Sequence, residues 1–301
     1  MLRQFLAALA CVAAAGAAAT AQSPLHISLG IYSFRKPTEV WKQFQPVTLE
    51  LTRLVTQHLG TKAEVELHVT PTYEACLEAF VAGEIDMVRF GPASYVLAQA
   101  RNAKVQLLAA EREDPHGVGL IVVREESPIE ELADLAGKRF AFADNQSTIG
   151  RYLSQAELVG AGITSKDLAS FAFLDKHDAV FKSVEIGDHD AGALYAGTFH
   201  ELNETATHKL RILYKFDNAP KPWVARAGLD AKVVKAVTAS LLALDNQEAL
   251  KALKVPGFMT TSDGDYDLVR KGMQKAEQFA PTPKPAPAKD PQPAPAPTKG
   301  R

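Results

Sequence analysis

Phe140-Ala141-Phe142-Ala143-Asp144-Asn145-Gln146-Ser147-Thr148-Ile149-Gly150 reads as a short apolar strand that delivers a polar turn straight into the start of a helix. Ser147 or Thr148 caps that helix, and its first backbone N–H groups are left without intrahelical partners. Those donors, together with the positive end of the helix dipole, form an anion site that needs no charged side chain. An ordinary N-cap is the other reading of the same residues. The turn taken alone does not choose between them.

Outward from this turn, short apolar runs alternate with helical patterns in both directions. Towards the N-terminus, His26–Ile31 reads as a strand, and Trp41–Leu59 as a helix ending at Gly60. Val65–Val69 alternates as a strand does, Tyr73–Ala82 is a helix stopped by Gly83, and Ile85–Val88 is another short strand. Around and beyond the turn come a strand over Val118–Val123, a helix over Thr148–Val159 ended by Gly160-Ala161-Gly162, and a strand over Ser170–Leu174. A helix over His177–Glu185 and strands over Ala191–Leu194 and Lys209–Tyr214 follow, then helices over Ala231–Leu244 and Tyr266–Phe279. This alternation predicts an α/β protein with mainly parallel sheets flanked by helices, whose ligands sit at the carboxyl ends of the strands. The series divides into two lobes. The first, over 22–115, is interrupted by the second, over 116–212, and is completed by 213–280 with its C-terminal helices.

Both ends of the chain differ from this body. Residues 1–21 carry an n-region with Arg3, an apolar run from Phe5 to Ala19 and a small-residue cleavage site, so a signal peptide cleaved near Ala21 and a periplasmic or secreted destination are expected. Cys11 lacks the large apolar residue usual three positions before a lipidated cysteine. Residues 281–301 are built from Pro, Ala and Lys, a composition that stays extended and solvated, so a disordered tail is expected. With 301 residues, 47% of them hydrophobic, the chain can build two ordinary cores. The formal charge of -2 excludes the basic surfaces that bind nucleic acid or an anionic membrane. Cys76 stands alone after cleavage, so no disulfide forms within the chain, and its spacing places it on the buried face of a helix. No Cys/His metal pattern, Gly-rich phosphate loop or Ser-His-Asp signature is present, and neither cofactor nor metal nor catalytic residue is expected.

Several short segments, taken in order and spacing, then carry a family likeness. They are Thr70-Pro71-Thr72-Tyr73, Gly83-Glu84-Ile85-Asp86 with Phe90-Gly91-Pro92-Ala93-Ser94-Tyr95, and Ser127-Pro128-Ile129 with Asp134-Leu135-Ala136-Gly137-Lys138-Arg139. The Ser147-Thr148 turn, His177-Asp178, and Gly187-Asp188-His189-Asp190-Ala191-Gly192-Ala193 complete the set. Together they resemble the periplasmic phosphate-, phosphite- and phosphonate-binding proteins of ABC importers, over nearly the whole body. The resemblance implies the two-lobed type II periplasmic binding fold, a Venus flytrap. Such a receptor captures a small phosphorus oxyanion and hands its closed form, as a monomer, to a membrane permease. Carried over by position, Tyr73 contributes its hydroxyl from the first lobe, and Ser147, Thr148 and His177 bind the anion from the second. Asp86 and Asp190, in corresponding places of the two lobes, belong by the same resemblance to the strand frame rather than to an acid–base pair.

The chain departs from the family's phosphonate binders at several positions. Ile149 stands where they carry a third hydroxyl residue, and Gly117 where they carry an aromatic one. The acids that hold the amine of an aminoalkylphosphonate fall near Gly197 and in the Asn218–Pro222 segment, and neither is retained, although Asp217 lies nearby. A small inorganic anion is therefore favoured over a zwitterion. Tyr95, after a strand-to-helix turn, either walls the cleft or packs against its own helix. Tyr32, Ser33 and Arg35 lie in the first strand-to-helix loop, which opens onto the cleft. A second reading keeps the fold and makes the chain a sensory module for a membrane kinase, motivated by the Pro/Ala tail as a spacer.

Overall fold

The computed structural model describes residues 23–33, 35–112 and 117–280. The signal peptide and the proline-rich tail expected from the sequence lie outside these residues. The chain opens with β1 (Leu25–Tyr32), α1 (Pro37–Leu59), β2 (Ala63–Thr70), α2 (Tyr73–Val81), β3 (Met87–Arg89), α3 (Pro92–Arg101) and β4 (Gln106–Glu111). It continues through β5 (Gly119–Arg124), β6 (Arg139–Phe142), a π-helical turn (Thr148–Leu153) running into α4 (Ser154–Gly160), β7 (Ser170–Phe173), α5 (His177–Glu185), β8 (Ala191–Tyr195), α6 (Ala196–Asn203) and β9 (Leu210–Phe216). The last part comprises β10 (Pro222–Ala225), α7 (Ala231–Leu242), α8 (Gln247–Leu253), β11 (Phe258–Met259) and α9 (Asp267–Ala276).

The strands form two sheets, a six-stranded one in the order β11-β4-β10-β3-β1-β2 and a five-stranded one in the order β7-β6-β8-β5-β9. The α/β class with helices on both faces is as the sequence pattern predicts, but the ladders are mixed rather than mainly parallel. Among the described residues, parallel pairing is confined to β1 with β2 and β3, and to β6 with β7 and β8, where a helix returns the chain to the same edge. The strands next to the crossings, β4, β5, β9 and β10, pair antiparallel. A chain that changes sheet and comes back must enter each sheet from its opposite end.

The return crossing lies later than the sequence division at 212. β9 stays paired with β5 through Phe216, so the chain leaves the second sheet only after that residue. Each sheet is packed on both faces. Ile27, Leu29, Leu51 and Val237 bury one face of the first sheet under α1, α7 and α8, and Leu77, Phe80, Val88 and Val269 bury the other. Phe140, Phe142, Leu153 and Leu158 fill one face of the second sheet, and Val180, Phe181 and Leu194 fill the other. α9 spans the two, with Val269 in a core of the first sheet and Phe279, just beyond it, in a core of the second. Cys76 is fully buried and its thiol is pushed up to about 11 by burial, as befits a packing residue.

Asp86 and Asp190 hold equivalent places in the two sheets and do equivalent work. Asp86 accepts from the Ser28 backbone N–H at 2.9 Å and from the Arg226 guanidinium at 2.9 Å, tying β1 to the strand beside it. Asp190 accepts from the Arg139 N–H at 2.8 Å and pairs with the Arg139 guanidinium at 2.8 Å, tying β8 to β6.

Candidate functional site

The Asp144–Gly150 turn is closed on itself before it can serve a ligand. Ser147 Oγ accepts from the Gly150 N–H at 3.0 Å, capping the π-helical turn, and Ala143 N–H donates to the Gly150 carbonyl at 3.0 Å. Gly150 is required here because a Cβ would lie 2.3 Å from that of Ala143. Asp144, with its carboxyl raised by burial, accepts from the Gln146 N–H at 2.6 Å and fixes the entry to the turn. The turn is therefore an N-cap, and its neighbouring hydroxyl, Thr148 Oγ1, also accepts from a backbone N–H, which leaves the Thr148 hydrogen available.

The facing wall comes from the first sheet. Tyr32 ends β1 and Tyr73 begins α2, and their rings stack with centroids 3.9 Å apart. The Tyr32 hydroxyl accepts from the Gly91 N–H at 2.9 Å, an approach that the absent side chain at Gly91 permits, since a Cβ there would stand 3.0 Å from that oxygen. Two residues further on, within α3, the Ala93 N–H donates to Thr148 Oγ1 at 2.9 Å. No residue of α3's own N-cap supplies a side-chain acceptor, so the start of α3 is capped from the opposite sheet. Tyr73 shares hydrogen bonds with Tyr32 and Ser147, and burial together with the charge of Asp144 pushes its hydroxyl up to about 12. Tyr32 is raised as well, again chiefly by burial. Gln146 donates to Glu74 across the same seam. The two sheets thus meet in a closed arrangement.

Between them lies a cavity of about 190 Å³, too small for the drug-sized molecules that fill typical ligand pockets and of a size for a small ion. Tyr32, Tyr73, Ser147, Thr148 and His177 all line it, as does Ile149. An outer cavity of about 500 Å³ shares Tyr32, Tyr73, Ser147 and His177 and adds Ser33 and Arg35. At this outer cavity Lys254, at the end of α8, pairs with Glu201 of α6 at 3.0 Å. Asp175 takes the left-handed conformation, with φ of 61°, and so turns the chain out of β7 to set His177 as the first residue of α5. Burial, with Lys221 nearby, lowers the His177 imidazole to about 4, so it is neutral at pH 7, and its buried Nδ1 has no partner among the described residues.

Tyr95 is not brought to the cavity. Its hydroxyl donates to Asp263 at 2.7 Å and its ring rests on that of Tyr266 at 4.7 Å, so the packed alternative is the one realised. The cavity includes instead Arg89 and Tyr195, which the sequence reading did not single out, and Asn218 and Lys221, which come from the segment where the resemblance placed an amine-holding acid. Arg89 closes β3, and Glu111 accepts from its Nε at 2.5 Å and from its terminal nitrogen at 2.9 Å. The Trp223 indole N–H donates to the same carboxylate at 2.9 Å. Glu111 is 1% exposed, yet its carboxyl sits below the usual glutamate range, because the adjoining Arg89 charge and hydrogen bonds outweigh the burial that pushes it up. Lys221, on the return crossing, lies with its ammonium 5.1 Å from the Tyr195 ring centre. A signal for Arg89 was present in the sequence, a lone arginine closing an otherwise apolar strand, where a buried guanidinium demands a partner. Lys221 carried none of its own as a residue type; the resemblance pointed to its segment, but for an acid that this chain lacks. The His and Glu grouping of His26, Glu64 and Glu66 lies exposed along β1 and β2 and takes no part in the cavity.

Chemically, the site offers hydroxyl, guanidinium and ammonium donors around a volume of ionic size. That is an arrangement for charge-assisted hydrogen bonds to the oxygens of a tetrahedral anion.

Comparison with known proteins gives the site its context. Residues 29–266 match the family model described as the periplasmic substrate-binding protein of the phosphonate ABC transporter. The phosphate-import protein PhnD of Mycolicibacterium smegmatis is 27% identical over 255 residues, covering 73% of this chain and 77% of that one. A probable ABC transporter phosphite-binding protein, PhnD1 of Prochlorococcus marinus, is 25% identical over 213 residues, covering 66% and 72%. The solved structure of PhnD1 from Prochlorococcus marinus in complex with methylphosphonate superposes with a TM-score of 0.71 at 22% identity, covering 85% of this chain and 99% of that one.

Proposed function

Because the chain belongs to the family of periplasmic substrate-binding proteins of phosphonate ABC transporters, we propose that it captures phosphate, phosphite or a small phosphonate in the cavity between its two sheets and delivers it to a membrane permease. The observation that carries this reading is the meeting, around about 190 Å³, of two cationic side chains, Arg89 and Lys221, with the neutral donors Ser147, Thr148 and His177. The relatives named for phosphate and phosphite support the same ligand class.

Tyr73, Ser147, Thr148 and His177 are assigned to the ligand, with Tyr32 acting through its stack on Tyr73 and its bond to α3, and with Arg89 and Lys221 supplying charge. Tyr95 is left out of the site. The two lobes open and close about the two crossings, so ligand favours closure only by its differential affinity for the closed form. Export through a leader cleaved near Ala21 belongs to the same proposal, and among the described residues no helix is long and apolar enough to cross a membrane. The role is binding without turnover.

Calorimetry of the chain from residue 22 onward against phosphate, phosphite, methylphosphonate and 2-aminoethylphosphonate tests this. Binding of at least one of the first three is expected, with the aminophosphonate weakest because its amine would meet Arg89 and Lys221. Absence of binding to all of them at millimolar concentration would sink the proposal.

A further inference from the structure

The cavity is lined mainly by groups that can donate, and two buried atoms on its lining, His177 Nδ1 and Asn218 Oδ1, lack a partner among the described residues; of the two only Asn218 Oδ1 is restricted to accepting, since His177 Nδ1 carries the hydrogen in one tautomer. Thr148 Oγ1 accepts from the Ala93 N–H, which leaves its hydrogen to donate inward, while Ser147 Oγ accepts from the Gly150 N–H and also bonds the Tyr73 hydroxyl. Arg89 and Lys221 can only donate. Asn218 is different. Its amide nitrogen is held by the Gly117 carbonyl at 3.3 Å, which fixes the orientation of the side chain, because a reversed amide would set oxygen against oxygen. The remaining atom, Oδ1, is a buried acceptor with no partner among the described residues, on a residue that lines the cavity. A buried carbonyl oxygen left in this state is costly unless a ligand supplies a hydrogen.

Sulfate and the sulfonates carry only lone pairs at neutral pH. Hydrogen phosphate and the monoanion of a phosphonic acid have the same tetrahedral shape and also one hydroxyl. Resting on the proposed function above, we infer that Asn218 is a specificity-determining residue that reads the proton of the ligand. The site takes a tetrahedral oxyanion that retains a P–OH, which donates to Asn218 Oδ1 while the unprotonated oxygens accept from Thr148 and the cations. It rejects the isosteric sulfur anions, whose oxygen would face an acceptor.

Two ligand pairs isolate the proton. Phosphate and sulfate are compared near neutral pH, and methylphosphonate and methanesulfonate are compared below the second ionisation of the phosphorus acid, about 6 for a phosphate monoester. In the second pair, charge and shape are matched and only the hydroxyl differs. Wild type is expected to favour the phosphorus member of each pair on the order of 100-fold or more, as for a buried polar group built to meet a hydroxyl. Asn218→Leu is expected to bring each ratio to within a few fold. Asn218→Asp keeps an acceptor and adds charge, so the ratios should hold or rise, and this variant gives an independent reading if the leucine form folds poorly.

Wild-type ratios near one overturn the inference, as do ratios unchanged in Asn218→Leu or a fall in Asn218→Asp. Equal weakening of both members in both variants also overturns it, reducing Asn218 to its contact with Gly117. In each of these outcomes phosphate still binds the wild type and the proposed function stands. If the wild type binds no phosphorus anion, the function and this inference fall together.

Discussion

The two walls of the cavity would meet the proposed anion by different physics. The wall of the first sheet uses formal charge, Arg89 at the end of β3, backed by Glu111 and joined by Lys221 from the return crossing. The wall of the second sheet uses none, and sets the hydroxyls of Ser147 and Thr148 and a neutral His177 on helix starts. A buried charge needs its counter-charge whether or not ligand is present, so the first wall is part of the protein's own electrostatics. A hydroxyl that already satisfies a backbone N–H is inexpensive to bury. Affinity and stability are therefore bound together on one wall and separable on the other.

The sharpest way to break this contrast is Arg89→Met. It leaves Glu111 buried without its bidentate partner, and loss of about 3–5 kcal/mol of unfolding free energy is expected, together with loss of phosphate binding. Adding Glu111→Gln to that variant should recover most of the stability and none of the binding. The pH sign follows from the depressed Glu111 carboxyl. A carboxyl lowered in the folded state stabilises the protein above the unfolded range, about 4.3 for glutamate, and that contribution is lost as pH falls through the folded value. Without Arg89, burial is left to push the carboxyl up, so acid unfolding of the single variant should begin at higher pH. Urea unfolding from pH 4 to 8 reads this directly, and an Arg89→Met protein as stable as the wild type would erase the distinction between the walls.

The neutral wall has its own pH signature, through His177. An imidazole lowered to about 4 binds its proton less readily folded than unfolded, where the value is about 6.5. The unfolded chain then holds more protons between those values. Stability rises with pH across that window, is complete above about 6.5 and falls towards pH 4, by at most about 1.4 kcal/mol per pH unit. His177→Gln should flatten the slope. Phosphate affinity, after allowance for the ligand's own ionisation, should show no His177 transition between pH 7 and 8, and an imidazole NMR titration that places the group near 6.5 would contradict the burial described here.

How much of this was legible in the sequence follows the same division. Ser147, Thr148, His177 and Tyr73 sit at helix starts, where a local pattern of strand, polar turn and apolar periodicity announces both the element and its free donors. Tyr32 could be placed because it ends a clear strand. Arg89, Lys221 and Asn218 come together only when β3, β4, β10 and the return crossing meet; the resemblance pointed to the segment of the last two, but no local pattern encodes their proposed roles. Tyr95 shows the opposite error. It follows the same strand-to-helix turn as a cleft residue would, but one side of α3 faces Tyr266 and Asp263, and that assignment depends on α9 and the turn before it, more than 160 positions along the chain. The mixed ladders were hidden for a related reason, since strand direction at the crossings is set by which sheet the chain is entering.

The smallest expected effect is the most discriminating, because it asks whether two neighbouring hydroxyls on the neutral wall do the same thing. Ser147 Oγ caps its own turn at Gly150, so Ser147→Ala removes a bond present in every state of the folded protein and should cost about 1 kcal/mol of apo stability. Thr148 Oγ1 instead accepts from Ala93 across the cleft, and that bond exists only when the lobes are closed. In Thr148→Val the shape is kept, and opening lets water reach the Ala93 N–H, so the loss falls on the closed form alone. Thr148→Val should therefore leave the unfolding free energy of the ligand-free protein within about 0.5 kcal/mol of wild type. It should weaken phosphate on the order of tenfold, the equivalent of one ordinary hydrogen bond, and shift the ligand-free scattering profile towards a more open molecule. If Thr148→Val instead costs as much apo stability as Ser147→Ala with no change in scattering, the hydroxyl at 148 is a structural cap like its neighbour, and the second wall is no more separable from the fold than the first.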